Sequence, residues 1–346
     1  MKKLFLSLIT LSLATSVLSS CGDTPQKRTL NVLTWDGYIP QNVIAEFEES
    51  TGITMNFTNF NTNEEMLSKL SASQGEYDMV IASDYMIDIA AKEGLIAELD
   101  KSKLPNFKNI DEAFLDKYYD EENRYAVPYS SGTPLIVYDP EEVDFEIKGY
   151  EDLWNSELED DIVLIDDARN IIGITLKTLG YSFNETDPQK LDEAKEKLFK
   201  LKNNIKQFNY NNPYEAIIGG EADVAYMFTS QVALALQERP ELKVAYPEEG
   251  MGVGIDAWFI PETAGNKDEA HEFLNYILDP KVGADISEQI MYMCVNKASA
   301  EFLSDDFKNN KALYIPSDIL GNPEFIKDVG DATEIYDKIW TEFKQQ

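Results

Sequence analysis

The sequence predicts an α/β protein of two domains. Three observations lead there: strand-like apolar runs alternate with runs carrying hydrophobic residues at helical spacing, the 346 residues are about twice a typical domain of about 150, and a composition 43% hydrophobic and 11% aromatic supplies two cores. That apolar fraction separates the chain from disordered proteins despite a formal net charge of −33.

The first 20 residues read as an export signal and not as part of the fold. Met1-Lys2-Lys3 precedes an apolar stretch from Leu4 to Val17 and the small-residue site Leu18-Ser19-Ser20-Cys21. The stretch is shorter than the roughly 20 residues a membrane-spanning helix needs. A cysteine at that point resembles a bacterial lipoprotein signal, in which Cys21 is lipidated and becomes the new N-terminus; an ordinary secretory peptide is the alternative. Residues 21–27 then form a polar tether. Cys294 alone remains in the body, so with Cys21 acylated no internal disulfide forms and packing must hold the fold.

Thr29 to Trp35 is strand-like, and Pro40 to Ser50 carries Val43, Ile44 and Phe47 at helical spacing with Gly52 just past the end. Ile53 to Phe57 is a second strand, Thr62-Asn63-Glu64-Glu65 a capping box opening a helix through Met66, Leu67 and Leu70, and Tyr77 to Ile81 a third strand. Strands separated by helices imply parallel pairing through right-handed crossovers. A second series follows Gly132: strands at Leu135 to Tyr138, Ile162 to Ile165 and Asp223 to Phe228, a helix from Asp187-Pro188 with Leu191, Ala194, Leu198, Leu201 and Ile205 on one stripe, and another closed by Gly219-Gly220. In such sheets ligands sit outside the carboxyl ends of the strands. Those ends carry Trp35-Asp36-Gly37-Tyr38, Ser83-Asp84-Tyr85, Asp166-Asp167 and Phe228-Thr229.

Charge and motifs exclude several function classes. Phosphate binding needs basic patches, and 63 acids against 30 bases exclude nucleic acid and disfavour an anionic membrane surface. The single histidine, His271, leaves no His-based triad or multi-His zinc site, and its place in a helical run predicts a surface position. No G-x-S-x-G elbow, phosphate loop or C-x-x-C pair occurs, and the glycines from Gly250 to Gly254 lack the spacing and following helix of a dinucleotide loop. Neither a cofactor nor a metal site is expected. Adjacent Asp166 and Asp167 point to opposite faces, so one of them at most enters a given site.

The ordered series T-L-N-V-L-T-W-D-G-Y-I-P, E-F-E-E-S-T-G-I, Y-D-M-V-I-A-S-D-Y, D-K-S-K-L-P-N-F-K-N-I-D, Y-A-V-P-Y, D-D-A-R-N-I-I-G, G-E-A-D-V-A and N-K-D-E-A-H-E-F-L-N-Y-I-L-D-P resembles the spermidine/putrescine-binding proteins of ABC transporters over essentially the whole mature chain. The resemblance implies a two-lobed periplasmic-binding-protein fold with crossover hinge strands and a ligand cleft between the lobes. It places lobe 1 at 28–132 and 256–300, and lobe 2 at 133–255 and 301–346. It implies a monomer outside the cytoplasmic membrane, anchored through Cys21, that hands a polyamine to a permease driven by an ATPase and performs no chemistry.

A polyamine needs carboxylates at its ammonium groups, acceptors for remaining N–H donors and aromatic faces along its methylenes. By resemblance, Trp35, Tyr38, Tyr85, Phe228 and Tyr292 supply the rings, Asp167 and Asp256 the amine-binding carboxylates and Ser83 an acceptor; Asp36 is placed to meet the far end of the ligand. Singly, each has a plainer reading as core aromatic, turn, helix cap or solvated acid. The chain departs from the family pattern at Gly37 and Asn170, where acids are usual, at Gly254 and Phe228, where other aromatics stand, and at Ile326, usually polar. Competing expectations are a sibling binding protein for an opine, an amino acid derivative or a metal chelate, and an exported hydrolase.

Overall fold

The computed structural model describes residues 28–321 and 323–345. The expected signal, Cys21 and the tether lie outside the described residues. The chain opens with β1 (Thr29–Thr34), α1 (Gln41–Thr51), β2 (Thr54–Asn59), α2 (Asn63–Ala72), β3 (Met79–Ser83) and α3 (Asp84–Lys92). β1 pairs in parallel with β2 and β3, the outcome of helical crossovers. α1 buries Val43, Ile44 and Phe47 and ends at Gly52, whose φ of 72° lets its amide turn back to the Glu48 carbonyl. At the start of α2 the Thr62 hydroxyl accepts from the Glu65 amide, but the Glu65 carboxylate reaches past Thr62 to the Asn61 amide. The capping box is thus displaced by one residue.

The chain continues through β4 (Ala126–Gly132), β5 (Leu135–Tyr138), β6 (Ile162–Leu164), α4 (Ala168–Thr178), α5 (Pro188–Lys200), β7 (Ile205–Phe208), α6 (Tyr214–Ile218), β8 (Val224–Met227), α7 (Thr229–Glu238) and β9 (Lys243–Ala245). It returns through β10 (Gly252–Phe259), α8 (Lys267–Ile277), α9 (Pro280–Ile290), β11 (Met293–Cys294), α10 (Asp305–Asn309), α11 (Ser317–Leu320), β12 (Glu324–Phe325) and α12 (Thr333–Lys344). One sheet has the order β11-β4-β10-β3-β1-β2 with β12 beside β10, and the other the order β7-β6-β8-β5-β9.

Both sheets are mixed: strands separated by helices pair in parallel as expected, and the others do not. β10 runs antiparallel to β3 and β4, and β5 antiparallel to β8 and β9. β4 passes into β5, and so from one sheet to the other, across Thr133 and Pro134 alone. The junction is pinned, because the Thr229 hydroxyl accepts from the Thr133 amide (2.8 Å) and donates to the Thr133 carbonyl (2.9 Å). The α5 stripe also ends earlier than its spacing predicts. Leu191, Ala194 and Leu198 are buried on the helix, but Ile205 lies in β7, paired with Ile162. A tight turn at Leu201–Asn204 intervenes, held by the buried Asn204 amide, which donates to the carbonyls of Leu153 and Asn155.

Each sheet has its own hydrophobic core. Buried residues from Leu30 to Tyr129 and from Ile255 to Leu278 pack in one, around Phe47, Trp258 and Phe273. Those from Leu135 to Met251 and from Met293 onward pack in the other, around Tyr150, Phe183, Tyr226 and Phe343. The chain passes between the cores along β4 to β5, at the start of β10, and near β11.

His271 is buried, 4% exposed, and not at the surface as its isolation in the sequence predicts. It belongs to the apolar face of α8 with Ala270, Phe273, Leu274 and Ile277. Its Nδ1 lies 2.6 Å from the Lys267 carbonyl and donates to it, which leaves Nε2 to accept from the Asp100 amide at 2.9 Å. His271→Phe keeps a ring and strands that amide, a loss of about 1–3 kcal/mol expected as a lower midpoint in urea denaturation.

Candidate functional site

The carboxyl end of β1 turns sharply at Gly37, whose φ of +67° suits a residue without a side chain. The turn sets Trp35 and Tyr38 edge to face, with ring centroids 5.3 Å apart. Trp35 rests against Phe60 at 4.7 Å, while Tyr38 also meets Tyr129 at 5.6 Å and Tyr292 at 6.1 Å. Asp36 is exposed, and its carboxylate accepts from the Asn59 side chain at 2.9 Å, at the end of β2.

Sheet register assembles the centre of the site. On β10, Asp256 stands opposite Ser83 of β3 on one side and Ser130 of β4 on the other, beside an irregularity in the β4 ladder. Ser83 donates to its Oδ1 at 2.8 Å, and the Tyr38 hydroxyl donates to its Oδ2 at 2.6 Å while lying 2.8 Å from the Ser130 hydroxyl. Asn63, at the start of α2, holds Ser83 by donating to its hydroxyl and accepting from its amide, both at 3.1 Å. Burial raises the Asp256 carboxyl above its ordinary value, against the pull of the Tyr38 and Ser83 donors. Burial, then the Asp256 charge, raises the Tyr38 hydroxyl in turn.

The smaller sheet contributes from its own strand ends. Asp167 follows β6 and caps α4, its Oδ1 accepting from the Asn170 amide (2.8 Å) and side chain (3.1 Å). Asp166 turns the other way, to Trp340 at 3.2 Å and Lys344 at 2.7 Å, so the adjacent pair is split between two surroundings. Phe228 follows β8, half-buried at the start of α7. Tyr292 packs against the β4 junction so closely that a Cβ on Gly132 would lie 3.0 Å from its ring and 2.9 Å from the Thr229 hydroxyl.

Electrostatic coupling joins the two sides. The Tyr85 hydroxyl donates to Glu64 at 3.3 Å and is raised by burial, then by Glu64, and also by Asp167 from the opposite sheet. Burial pushes Tyr292 up to about 12; its bond to Ser230 opposes this and the charge of Asp256 adds to it. Hydrogen bonds and ring contacts thus join Trp35, Tyr38, Ser83, Asp256 and Tyr292, while Tyr85, Asp167 and Phe228 stand at neighbouring strand ends. The structure adds Asn63, Glu64, Ser130 and Tyr210, which sequence reasoning missed. Tyr210 ends β7, and the strand-end rule finds it once Ile205 is placed in a strand. The serine and asparagine partners depend on register across three strands and carry no local signal.

The departures each have a structural counterpart. The Asn170 side chain donates to Asp167 where a second acid would repel it, and its own Oδ1 is buried without a partner. Ile326 packs over β10, its Cδ1 3.1 Å from where a Gly252 Cβ would stand. Gly254 faces open space, with nothing within 4 Å of a Cβ there.

Residues 42–314 match the family model described as bacterial extracellular solute-binding protein. The chain is 36% identical over 318 residues to the spermidine/putrescine-binding periplasmic protein of Salmonella typhimurium, covering 91% of each. The chain belongs to this solute-binding family. Crystal structures agree: the spermidine/putrescine ABC transporter substrate-binding protein of Streptococcus pneumoniae superposes with a TM-score of 0.83 at 32% identity, covering 92% of this chain and 99% of that one. A Treponema pallidum lipoprotein gives 0.84 at 25% identity, covering 92% and 100%. As a member of the family the chain is an extracytoplasmic solute-binding protein of two α/β lobes, not an enzyme. Among the described residues no group of three or more His, Cys, Asp or Glu side chains is placed to hold a metal.

The raised Asp256 carboxyl has a consequence for stability. The folded, ligand-free protein holds this proton more tightly than the unfolded chain, so its contribution to stability is full below the ordinary carboxylate value and is lost as pH rises through the folded one. Asp256→Asn removes that loss. Urea denaturation at a series of pH values is expected to show the variant gaining on the parent as pH rises; parallel profiles would contradict the assignment.

Proposed function

We propose that the protein captures a polyamine of the putrescine or spermidine class in the cleft between lobe 1 (28–132 and 256–300) and lobe 2 (133–255 and 301–346), and delivers it to an ABC permease and its ATPase. The observation that carries this reading is the half-buried Asp256 carboxylate, whose two oxygens accept from the Tyr38 and Ser83 hydroxyls, with the Tyr292 ring 6.1 Å from that of Tyr38. A half-buried carboxylate beside aromatic rings suits an ammonium group on an alkyl chain, since the charge meets the acid while the methylenes lie on the rings. Anions gain nothing there, and neutral sugars would leave the charge uncompensated.

Asp167 is the natural second pole, on the opposite lobe and at a strand end. Beside it, the unpartnered Asn170 Oδ1 offers an acceptor for a further N–H. Trp35, Tyr85 and Phe228 supply walls, and Asp36, tied to Asn59, contributes charge at the rim. Closure follows from differential affinity: the open form offers one carboxylate at a time, and the closed form holds both ammonium groups and excludes water. Two charge-assisted pairs and stacked methylenes are enough for micromolar binding, about −8 kcal/mol. Cys21 acylation would keep a monomer at the outer face of the cytoplasmic membrane, within reach of its permease.

Mass spectrometry of the ligand released on denaturing the purified protein is expected to identify a polyamine. In calorimetric titration with putrescine and spermidine, Asp167→Asn and Asp256→Asn should each weaken binding tenfold or more, at least about 1.4 kcal/mol. Unchanged affinity in both variants would refute the site, and an opine or amino acid derivative in the released material would refute the ligand class.

A further inference from the structure

The short strand β12 is divided between the two cores. Phe325 packs against the first core and Ile326, the next residue, against the second. Its backbone is fastened to the second. Asn184, in the loop after α4, brackets the strand as a ladder partner would, its side chain donating to the Phe325 carbonyl and accepting from the Lys327 amide, both at 2.7 Å. At the head of α4 the Arg169 guanidinium donates to the Lys327 carbonyl at 2.9 Å and to the Asn184 side chain at 3.1 Å. The Glu324 carboxylate accepts from Ser182 and Asn184 and pairs with Lys177 of α4 at 3.5 Å. From this fixed backbone two side chains reach one residue of the first core. Phe325 meets the Tyr118 ring edge to face at 5.7 Å, and the Lys327 ammonium lies 4.5 Å from the centre of the same ring. Tyr118 in turn rests on the buried Tyr119 at 5.7 Å.

Sheet register shows what this contact spans. β10 pairs with β12 at Gly252 and Val253 and with β3 from Asp256 to Phe259, so it meets the two strands in succession with Gly254 and Ile255 between. That interval is where the chain passes between the cores, since Met251 belongs to the second and Ile255 to the first. β3 ends at Ser83, opposite Asp256, so β12 stands beyond its carboxyl end, on the side where the cleft opens. Separation of the cores widens the interval and draws Phe325 and Lys327, carried by Asn184 and Arg169, off Tyr118. We propose that β12 is a latch between the lobes: Phe325 and Lys327 grip Tyr118 in the closed arrangement and release it in the open one, so that this contact sets how readily the cleft opens and how tightly any ligand is held, without touching the ligand.

This inference rests on capture between two lobes and takes the polyamine reading only for its probes. Full mature protein is titrated calorimetrically with putrescine and with spermidine as parent, Phe325→Ala, Tyr118→Ala and the double variant, and the ligand-free forms are compared by small-angle X-ray scattering. Each alanine variant is expected to weaken both amines by the same factor, about fivefold, because a latch acts on closure and not on ligand chemistry. The double variant should lose little more than either single one, since both remove one contact. Without ligand, the variants should show a larger radius of gyration than the parent. Ligand-free melting temperatures identify damage to the fold; if Phe325→Ala melts early, Phe325→Leu, which keeps apolar bulk and loses the ring contact, carries the comparison. Affinities within about twofold of the parent for both amines overturn the latch and leave the polyamine reading standing. A loss confined to one amine makes Phe325 a ligand contact and overturns the latch as well. A parent that binds neither amine overturns the polyamine reading, and scattering then decides the latch alone, with equal radii overturning it.

Discussion

A half-buried carboxyl on the strand that leads from one core into the other is the constraint around which this molecule is arranged. Asp256 lies on β10, and burying a carboxylate is costly unless donors meet it. Two donors come from separate places, Tyr38 after β1 and Ser83 at the end of β3, and Asn63 at the head of α2 holds Ser83 from behind. Each depends on the sheet order β4-β10-β3-β1, since antiparallel pairing of β10 with β3 is what sets Ser83 opposite Asp256. The donors reduce the cost without removing it, and the carboxyl stays above its ordinary range. A site left partly uncompensated in this way is one that a cation completes.

Much of the fold is legible in the sequence because its signals are local. The strand and helix alternation, the Gly52 cap, the Thr62 start and the split of Asp166 from Asp167 all follow from residues within one turn or one strand. What the sequence could not disclose depends on distant contacts. His271 looks solvent-facing beside Asp268, Glu269 and Glu272, and is buried because the Asp100 segment folds over α8. Ile205 continues a helical stripe in the sequence, but the buried Asn204 amide finds two carbonyl partners only in the folded chain and stops the helix there.

The site divides along the same line. Rings and acids at strand ends could be named from residue type, position and family likeness. Their partners could not, because Asn63, Glu64, Ser130 and Tyr210 come into range only through register and loop geometry. Asp36 follows Trp35 in the sequence, and the turn at Gly37 leaves it exposed and bonded to Asn59. Residue 170 shows how a substitution changes a neighbour's chemistry, since an amide supplies Asp167 with a donor where an acid would add a second negative charge.

The Thr133–Thr229 clasp has a mechanical meaning. Both polar backbone groups of Thr133 are bound to the first turn of α7, so the first residue after β4 moves as a piece of the second core. Gly132, the last residue of β4, stands between that clasp and the ladder, where it pairs with Gly254 of β10. Pressed by Tyr292 and the Thr229 hydroxyl, it has no room for a side chain. Any residue larger than glycine there would push at once on the Tyr292 ring and on the hydroxyl that clasps Thr133, so a single missing side chain keeps both in place.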